Sequence, residues 1–286
     1  NGLMAMDFET SRSERPPLVS VVIPAFRSKY LQAAIDSLLA QDFSDYEIVV
    51  GDDCPTEDVF DLFKKLVEDR RIDNFRYCRN ETSLGGGGNL SSCIQKARGK
   101  YIKPLFDDDV LLPGMISRFV EVLAQDARVA VVGSRRFLVG EEGERLPDSV
   151  ATVPLFDEDV VIHGKDAVSF LGDVTLNFIG EPSSIMFRRD DYDPIVVEHR
   201  GLLKLGGQYI EWVGDLAMTI KLLRRGHLAL LHQPYSAFRV SREQFSQKGR
   251  DQPGIGEKGH SDFRRMIREL GWYRSENNHL VRIRPL

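Results

Sequence analysis

Lys100-Tyr-Ile-Lys-Pro-Leu-Phe-Asp-Asp-Asp-Val-Leu-Leu-Pro-Gly114 is an apolar run that leads straight into three consecutive carboxylates. Tyr101, Ile102, Leu105 and Phe106 mark a strand, and Pro113-Gly114 ends the short apolar segment beyond the acids. Three adjacent like charges repel one another and are costly to leave unpaired at a buried strand end. A cation should share the site, and a divalent metal on hard oxygen ligands, itself neutralised by phosphates, suits it. A solvated acidic turn is the commoner reading of an isolated Asp triplet. The strand running into this triplet instead argues for a fixed position at a sheet edge.

Working outward, Leu18-Val-Ser-Val-Val-Ile-Pro-Ala-Phe26 is a continuous apolar run closed by Pro24, the pattern of a strand buried on both faces. Tyr30 to Gln41 places Leu31, Ala34, Ile35, Leu38 and Leu39 at helical spacing. Glu47-Ile-Val-Val-Gly-Asp-Asp53 is a second strand that also ends in acid. A helix over 55–70, a strand over 74–78, a Gly85–Gly88 loop and a helix over 89–98 precede the 100–106 strand. A helix over 116–125 and a strand over 129–133 come after it. This alternation predicts an α/β fold with a mostly parallel sheet whose strand carboxyl ends share one ligand-binding edge. Both acidic groups fall on that edge.

Beyond about Gly140 the pattern loosens. A charged hairpin turn is expected over 141–145, a loop and helix over 157–170, and a turn and strand over 177–189. A helix over 209–225 and a strand over 227–233 come next. Val240 to Gly259 reads as a mobile loop, and Ser261 to Leu270 as a short helix closed by Gly271. Four segments result: 1–17, an expression remnant before Met6 and a disordered lead-in; 18–135, the strictly alternating half of an α/β domain; 136–246, the looser half of the same domain; and 247–286, the loop and final helix.

With 286 residues, 42% of them hydrophobic, the chain can bury a sizeable core. A net charge of −5 gives no basis for a nucleic-acid partner. Cys54, Cys78 and Cys93 show no metal-type spacing and fit free thiols in a reducing cytoplasm. No run reaches the roughly 18–20 apolar residues of a membrane span. Gly85–Gly88 lacks the Gly-Lys-Ser/Thr ending of a phosphate loop, which favours a helix-entry loop. Asp52-Asp53 would commonly cap the next helix; functionally, these acids could accept from a pyrimidine N–H or a ribose hydroxyl.

The strand ending Pro24-Ala25-Phe26, then Val-Val-Gly-Asp52-Asp53, then Leu84-Gly85 with Asn89, then Arg98-Gly-Lys-Tyr-Ile-Lys-Pro-Leu-Phe-Asp107-Asp108-Asp109, together resemble a family 2 glycosyltransferase. The resemblance runs from Leu18 to about Ser246 and is looser in its second half. It implies a GT-A fold with a smaller mixed acceptor-side region, and inverting transfer from a nucleotide-diphosphate sugar (UDP or dTDP type) using Mn2+ or Mg2+. Pro24, Ala25, Phe26, Asp52, Asp53 and Asn89 then match donor-lining positions. The family often shows Asp-x-Asp-Asp where this chain has Phe106 first. Asp109 becomes the main metal ligand, with Asp108 or Asp107 toward the ribose.

Farther on, Gly180-Glu181-Pro-Ser-Ser184 matches an acceptor-side loop. Glu211-Trp212-Val-Gly-Asp215 matches the family's acidic base motif, with Asp215 as the base. A sugar hydroxyl is a poor nucleophile, so a carboxylate must take its proton as it attacks the anomeric carbon. An acid favoured by the helix dipole is the simpler reading of Asp215 alone. Arg239-Val-Ser241 stands where relatives carry Arg-x-His, so either metal binding leans on Asp109, the diphosphate and water, or a cation such as Arg239 or Arg242 takes the place of the His at the diphosphate. His232 reads as a strand-end residue.

The implied acceptor is a glycan, lipid-linked or protein hydroxyl in surface-glycan assembly, reached from the cytoplasm at the inner face of the membrane. Two other readings are a catalytically silent nucleotide-sugar-binding module and a sugar nucleotidyltransferase. The latter would open with a Gly-rich basic loop, where this chain has Pro-Ala-Phe-Arg-Ser. Phe263, Met266, Ile267 and Leu270 with Arg264, Arg265 and Arg268 suggest weak peripheral membrane contact, against an ordinary helix docked on the core.

Overall fold

Two compact units, Asn1–Arg118 and Phe119–Leu286, make up the chain in the computed structural model. The structure describes residues 7–10, 15–242, 254–274 and 281–286. The division falls ahead of the expected one at 135, because the long strand beginning at Val129 packs as a whole with the strands after it.

In the first unit, β1 (Asp7–Thr10), β2 (Val19–Ala25), β3 (Tyr46–Asp52), β4 (Phe75–Arg79) and β5 (Tyr101–Pro104) form a sheet in the order β1-β4-β3-β2-β5. Pairings β2/β3, β2/β5 and β3/β4 are parallel, as the alternating pattern predicts, and β1/β4 is antiparallel. Helices α1 (Leu31–Leu39), α2 (Asp58–Arg70) and α3 (Gly85–Lys96) supply the crossovers. Val21, Val22, Ile23, Val49 and Val50 are fully buried, which is why these strands read as unbroken apolar runs. Parallel register sets Ala25 opposite Asp52, and Asp52 opposite Arg79, so the strand ends that carry chemistry stand in one row.

Two local expectations change here. Residues 7–10 lie inside the lead-in expected to be disordered, yet they pair with β4. Phe8 joins an aromatic cluster with Phe60, Phe63, Phe75 and Tyr77, at centroid separations of 5.0–6.1 Å; that apolar contact offsets the cost of ordering the segment. Gly85–Gly88 is the first turn of α3 rather than a loop ahead of it. The close backbone approach lies instead at Gly51, where a Cβ would overlap the Asn89 side chain and come within 2.6 Å of Cys93 Sγ.

After the two-residue strand β6 (Val110–Leu111), helix α4 (Met115–Gln125) runs across the division into the second unit. There β7 (Val129–Val139), β8 (Arg145–Leu146), β9 (Val160–Ile162), β10 (Ile185–Arg188), a small hairpin β11 (Lys204–Leu205) and β12 (Gln208–Tyr209), β13 (His227–Arg239) and β14 (Ile283–Pro285) supply the strands. The main sheet runs β10-β7-β13-β9-β14, with β7/β13 parallel and the others antiparallel. Its helices are α5 (Gly164–Leu171), α6 (Tyr192–His199), α7 (Gly214–Leu223) and α8 (Ile255–Glu269).

The helix expected over 209–225 begins only at Gly214, because Gly206 and Gly207 turn the β11–β12 hairpin and Trp212 takes a left-handed φ of 68°. β13 continues to Arg239 through an irregularity between Leu231 and Ser236. Helix α8 starts at Ile255, inside the stretch read as a mobile loop; residues 243–253 of that stretch lie outside the described residues. Phe263, Met266 and Ile267 are buried in the protein's own core, which removes the apolar face from the suggested membrane contact. Arg264, Arg265 and Arg268 bond to Thr175, Glu269 and Gly172, respectively. No helix among the described residues is long and apolar enough to cross a membrane.

Candidate active site

The carboxyl edge of the first unit's sheet is tied together by its acids. Asp52 is fully buried; it accepts from Tyr77 Oη (2.5 Å) and the Cys54 N–H (2.8 Å), with Arg79 Nε at 3.8 Å. Burial raises its pKa against those donors. Asp53 accepts from Asn80 Nδ2, Ser83 Oγ and the Leu84 N–H, and so clamps the entry to α3. Asn89 donates to the carbonyls of Gly51 (2.8 Å) and Ala25 (3.4 Å). Asp52, Asp53 and Asn89 thus shape the strand ends from within, and the expected donor residues Pro24, Ala25 and Phe26 sit on that frame. Ala25 is buried, Pro24 half-buried, and Phe26 46% exposed, with the Arg27 guanidinium 5.8 Å from its ring centroid. An exposed aromatic ring held on a rigid strand end is a natural stacking surface for a nucleobase.

The Asp triplet splits into three environments. Asp107 Oδ2 accepts the N–H groups of both Phe26 and Arg27 at 2.7 Å, pinning the turn after β2. Burial and the neighbouring Asp108 charge push its pKa up to about 6 despite those donors. Asp109 is turned inward, 1% exposed, in the field of the fully buried Lys103 ammonium. Burial lowers the Lys103 pKa to about 7, and Asp109 opposes that shift. Lys103 also donates to the Pro104 carbonyl. Asp108, between them, is half-exposed. This geometry removes Asp109, the expected metal ligand, from the surface. Among the described residues no group of three or more His, Cys, Asp or Glu side chains could hold a metal unaided. A hard cation that uses one or two carboxylates and completes its shell with substrate phosphates and water fits this donor set.

In the second unit Asp215 opens α7. Its Oδ1 accepts the Leu216 N–H at 2.7 Å, and its Oδ2 accepts Asn177 Nδ2 at 3.2 Å. Burial, then the Glu181 charge, pushes its pKa up to about 7; the Leu216 N–H and Arg136 pull the other way. Arg136, 2% exposed at its side chain, grips both Glu181 oxygens at 2.5 and 3.1 Å and donates to the carbonyls of Asn177 and Ala151. The expected acceptor-side Glu181 is therefore half of a buried ion pair that orients Asn177 and through it Asp215. A carboxylate whose pKa lies near neutrality, partly open to solvent and held on both oxygens, can accept a proton from a hydroxyl.

Glu211 and Trp212 lie half-buried on the turn before α7, with Lys258 Nζ 3.8 Å from Glu211. Arg239 is 5% exposed, and its Nη1 donates to the Gly140 and Glu141 carbonyls, so it faces inward. Ser241 is likewise buried. His232 Nδ1 bonds to the Phe156 carbonyl at 2.7 Å, at the irregularity within β13 rather than at the strand end expected of it. Three residues escaped the sequence reading: Arg79, Arg136 and Asn177. For Arg136 a signal existed, since a charge inside the Val129–Val139 strand demands a buried partner. Arg79 Nη1 is buried beside Asp52 without a hydrogen-bond partner among the described residues, at the end of the same row of strands.

A family model, Glycosyl transferase family 2, matches residues 20–192. The chain is 36% identical over 107 residues to the GalNAc(5)-diNAcBac-PP-undecaprenol beta-1,3-glucosyltransferase of Campylobacter jejuni, covering 37% of this chain and 34% of that one. The S. aureus TarS 1-349 structure in complex with UDP-GlcNAc superposes with a TM-score of 0.60 at 19% identity, over 80% of this chain and 60% of that one. A Pyrobaculum calidifontis mannosyltransferase in complex with GDP-Man and Mn2+ gives a TM-score of 0.52 at 14% identity, over 81% and 59%. The chain thus spans less than two thirds of the length of these relatives, and the two structures show a shared α/β fold of GT-A type. The family model covers more than half of the sequence and contains both acidic strand ends, and on that ground the chain belongs to glycosyl transferase family 2.

Proposed function

We propose that the protein is an inverting glycosyltransferase that moves a sugar from a nucleotide-diphosphate sugar, of UDP or dTDP type, to a hydroxyl of a glycan, lipid-linked or protein acceptor in surface-glycan assembly. The observation that carries this reading is Asp215, a carboxylate poised near neutral pH and held by Asn177, Leu216 and the Arg136–Glu181 pair. As base, Asp215 takes the acceptor hydroxyl proton while the oxygen attacks the anomeric carbon on the face opposite the leaving diphosphate. Asn177 and the Leu216 N–H keep the carboxylate aimed during that transfer.

On the first unit, Phe26 stacks the base, while Asp107 holds the turn that carries Phe26. Arg79 reads the base and ribose from the strand ends that Asp52 and Asp53 hold in place. Asp108 takes the metal-facing role, and Asp109 with Lys103 keeps the triplet's internal charge balanced. Mn2+ or Mg2+, when bound, supplies neutralisation of charge on the departing diphosphate. Support comes from the family membership and from the UDP-GlcNAc and Mn2+ complexes of similar folds. The glucosyltransferase named on an undecaprenol-linked glycan supports a lipid-linked acceptor. Use of such an acceptor would place the protein at the cytoplasmic face of a membrane.

Release of UDP from UDP-glucose and UDP-N-acetylglucosamine in the presence of an undecaprenol-linked glycan acceptor, with and without manganese, tests the reading. Asp215→Asn should abolish release while UDP binding persists, and Asp108→Ala should abolish the manganese requirement or the activity. UDP binding without turnover by the unmodified protein in every such assay would instead favour a silent nucleotide-sugar-binding module.

A further inference from the structure

We propose that helix α8 is a seat that positions Asp215, acting through the Glu211–Trp212 turn, and that Gly259 is the residue on which the seat depends. The inference rests on the reading of Asp215 as the base. Trp212 adopts φ 68°, a left-handed conformation that L side chains rarely take, only three residues before Asp215. Such a conformation persists when surrounding structure over-determines it. Helix α8 does so here. A Cβ at Gly259 would overlap the Glu211 carbonyl oxygen and lie 2.9 Å from Trp212 Cβ, so the helix backbone itself presses against the turn. Gly256, one turn earlier, lies beside the Trp212 indole without a clash: an added Cβ would stand 3.6 Å from Nε1, an ordinary van der Waals contact.

Side chains on the same helix grip the segment leading into that turn. Lys258 Nζ approaches the Glu211 carboxylate at 3.8 Å, and Arg265 Nη2 donates to Gln208 Oε1 at 2.7 Å. Past the turn, the Val213 carbonyl accepts the Ala217 N–H and starts α7, so any displacement of Trp212 moves the first helical turn that carries Asp215. Helix α8 is itself fixed by the fully buried Phe263 and Ile267. The three glycines at 254, 256 and 259, which make the sequence look like a loop, thereby allow a close helix-to-turn contact.

In a helix interior, Gly→Ala alone adds stability, so the opposing outcomes separate well. Gly259→Ala should lower kcat for UDP release from UDP-N-acetylglucosamine or UDP-glucose at least tenfold. KM for the donor and the Kd for UDP should stay within twofold, and the acid limb of the kcat–pH profile should move. Gly256→Ala, which adds only an ordinary van der Waals contact with the Trp212 indole, should leave kcat and that limb unchanged. Lys258→Met, at a side chain 63% exposed, should fold and lower kcat about threefold at unchanged KM. A folded Gly259→Ala variant with the parent kcat and pH profile overturns the proposal. Should Gly259→Ala not fold, Lys258→Met decides, and parent kinetics there overturn it. Asp215→Asn keeps the two readings apart. If it retains turnover, the base assignment fails; if it abolishes turnover while folded Gly259→Ala behaves as the parent, only the role of α8 fails.

Discussion

Asp215→Asn should make the protein more stable at pH 8 and less stable below pH 5, while removing sugar transfer. The Asp215 carboxyl moves from 3.8 to about 7 in the fold. At roughly 1.4 kcal/mol per unit, that difference sets a ceiling of about 4 kcal/mol on what the ionised form costs. Asp215 keeps some solvent contact, which halves this to roughly 2 kcal/mol. Asparagine can accept only one of the two N–H groups now donated by Leu216 and Asn177, a loss of about 1 kcal/mol. The net gain at pH 8 is therefore about 1 kcal/mol, or roughly 2–4 °C in Tm. The sign follows from linkage: a group whose folded pKa is raised contributes stability fully present below the unfolded value, here near 4, and lost as pH rises through about 7. At pH 4 the parent regains that contribution, and the variant should be the less stable by about 1 kcal/mol. Thermal unfolding at pH 8, 6 and 4 would show the crossing. A variant that is less stable than the parent by the same margin at every pH refutes the reasoning, because Asp215 would then titrate like an ordinary surface carboxylate. Turnover should fall by roughly a thousandfold in the same variant, the usual scale for removing a general base.

Other outcomes rest on the same geometry. Turnover of the parent should rise with pH through about 7 as Asp215 ionises, and a flat profile from pH 5 to 8 would count against its role. Asp107→Ala frees the Phe26 and Arg27 N–H groups, and calorimetry should find UDP binding weakened about tenfold, the scale of one or two lost charge-assisted hydrogen bonds. Lys103→Met removes the buried cation whose field Asp109 shares and should cost about 3–5 kcal/mol in urea unfolding; the double variant Lys103→Met/Asp109→Asn should recover most of that. Phe8→Ala removes one ring from the cluster with Phe60, Phe63, Phe75 and Tyr77 and should cost about 1–3 kcal/mol.

The first half of the fold was legible because its strands are buried on both faces. Runs such as Val19–Ala25 and Glu47–Asp52 carry their own signature, and their parallel order follows from the helices between them. Gly85–Gly88 misled because intrinsic propensity weighs against glycine in a helix; packing of Asn89 and Cys93 against Gly51 outweighs it. The same conflict hid the start of α8. In the second unit, the acid proposed as base could be picked out from its motif, whereas the residues that hold it could not. Arg136 lies some forty residues from Asn177 and Glu181 and meets them only through the β7 fold. Sequence spacing carries no trace of such a meeting except the anomaly of a charge inside an apolar strand.

The acids themselves show how position and role can part company. Of Asp52, Asp53, Asp107, Asp108 and Asp109, four are committed to internal tasks: Asp52 to Tyr77 and Cys54, Asp53 to the Leu84 entry to α3, Asp107 to the Phe26 turn, and Asp109 to the field of Lys103. A motif rich in carboxylates suggests direct contact with ligand at each position. Most of them are bonded to strand ends and turns, a rigidity that the proposed donor site requires if it is to bind without first ordering itself. Binding free energy is then not drawn off into arranging Phe26 or the entry to α3. Asp108, set between the pinned Asp107 and the inward Asp109, stays half-exposed on a segment that cannot move far. Fixing a single carboxylate in this way is better suited to a cation shared with substrate phosphates than three loosely held ones, because each further protein ligand would displace a phosphate oxygen or water from its shell.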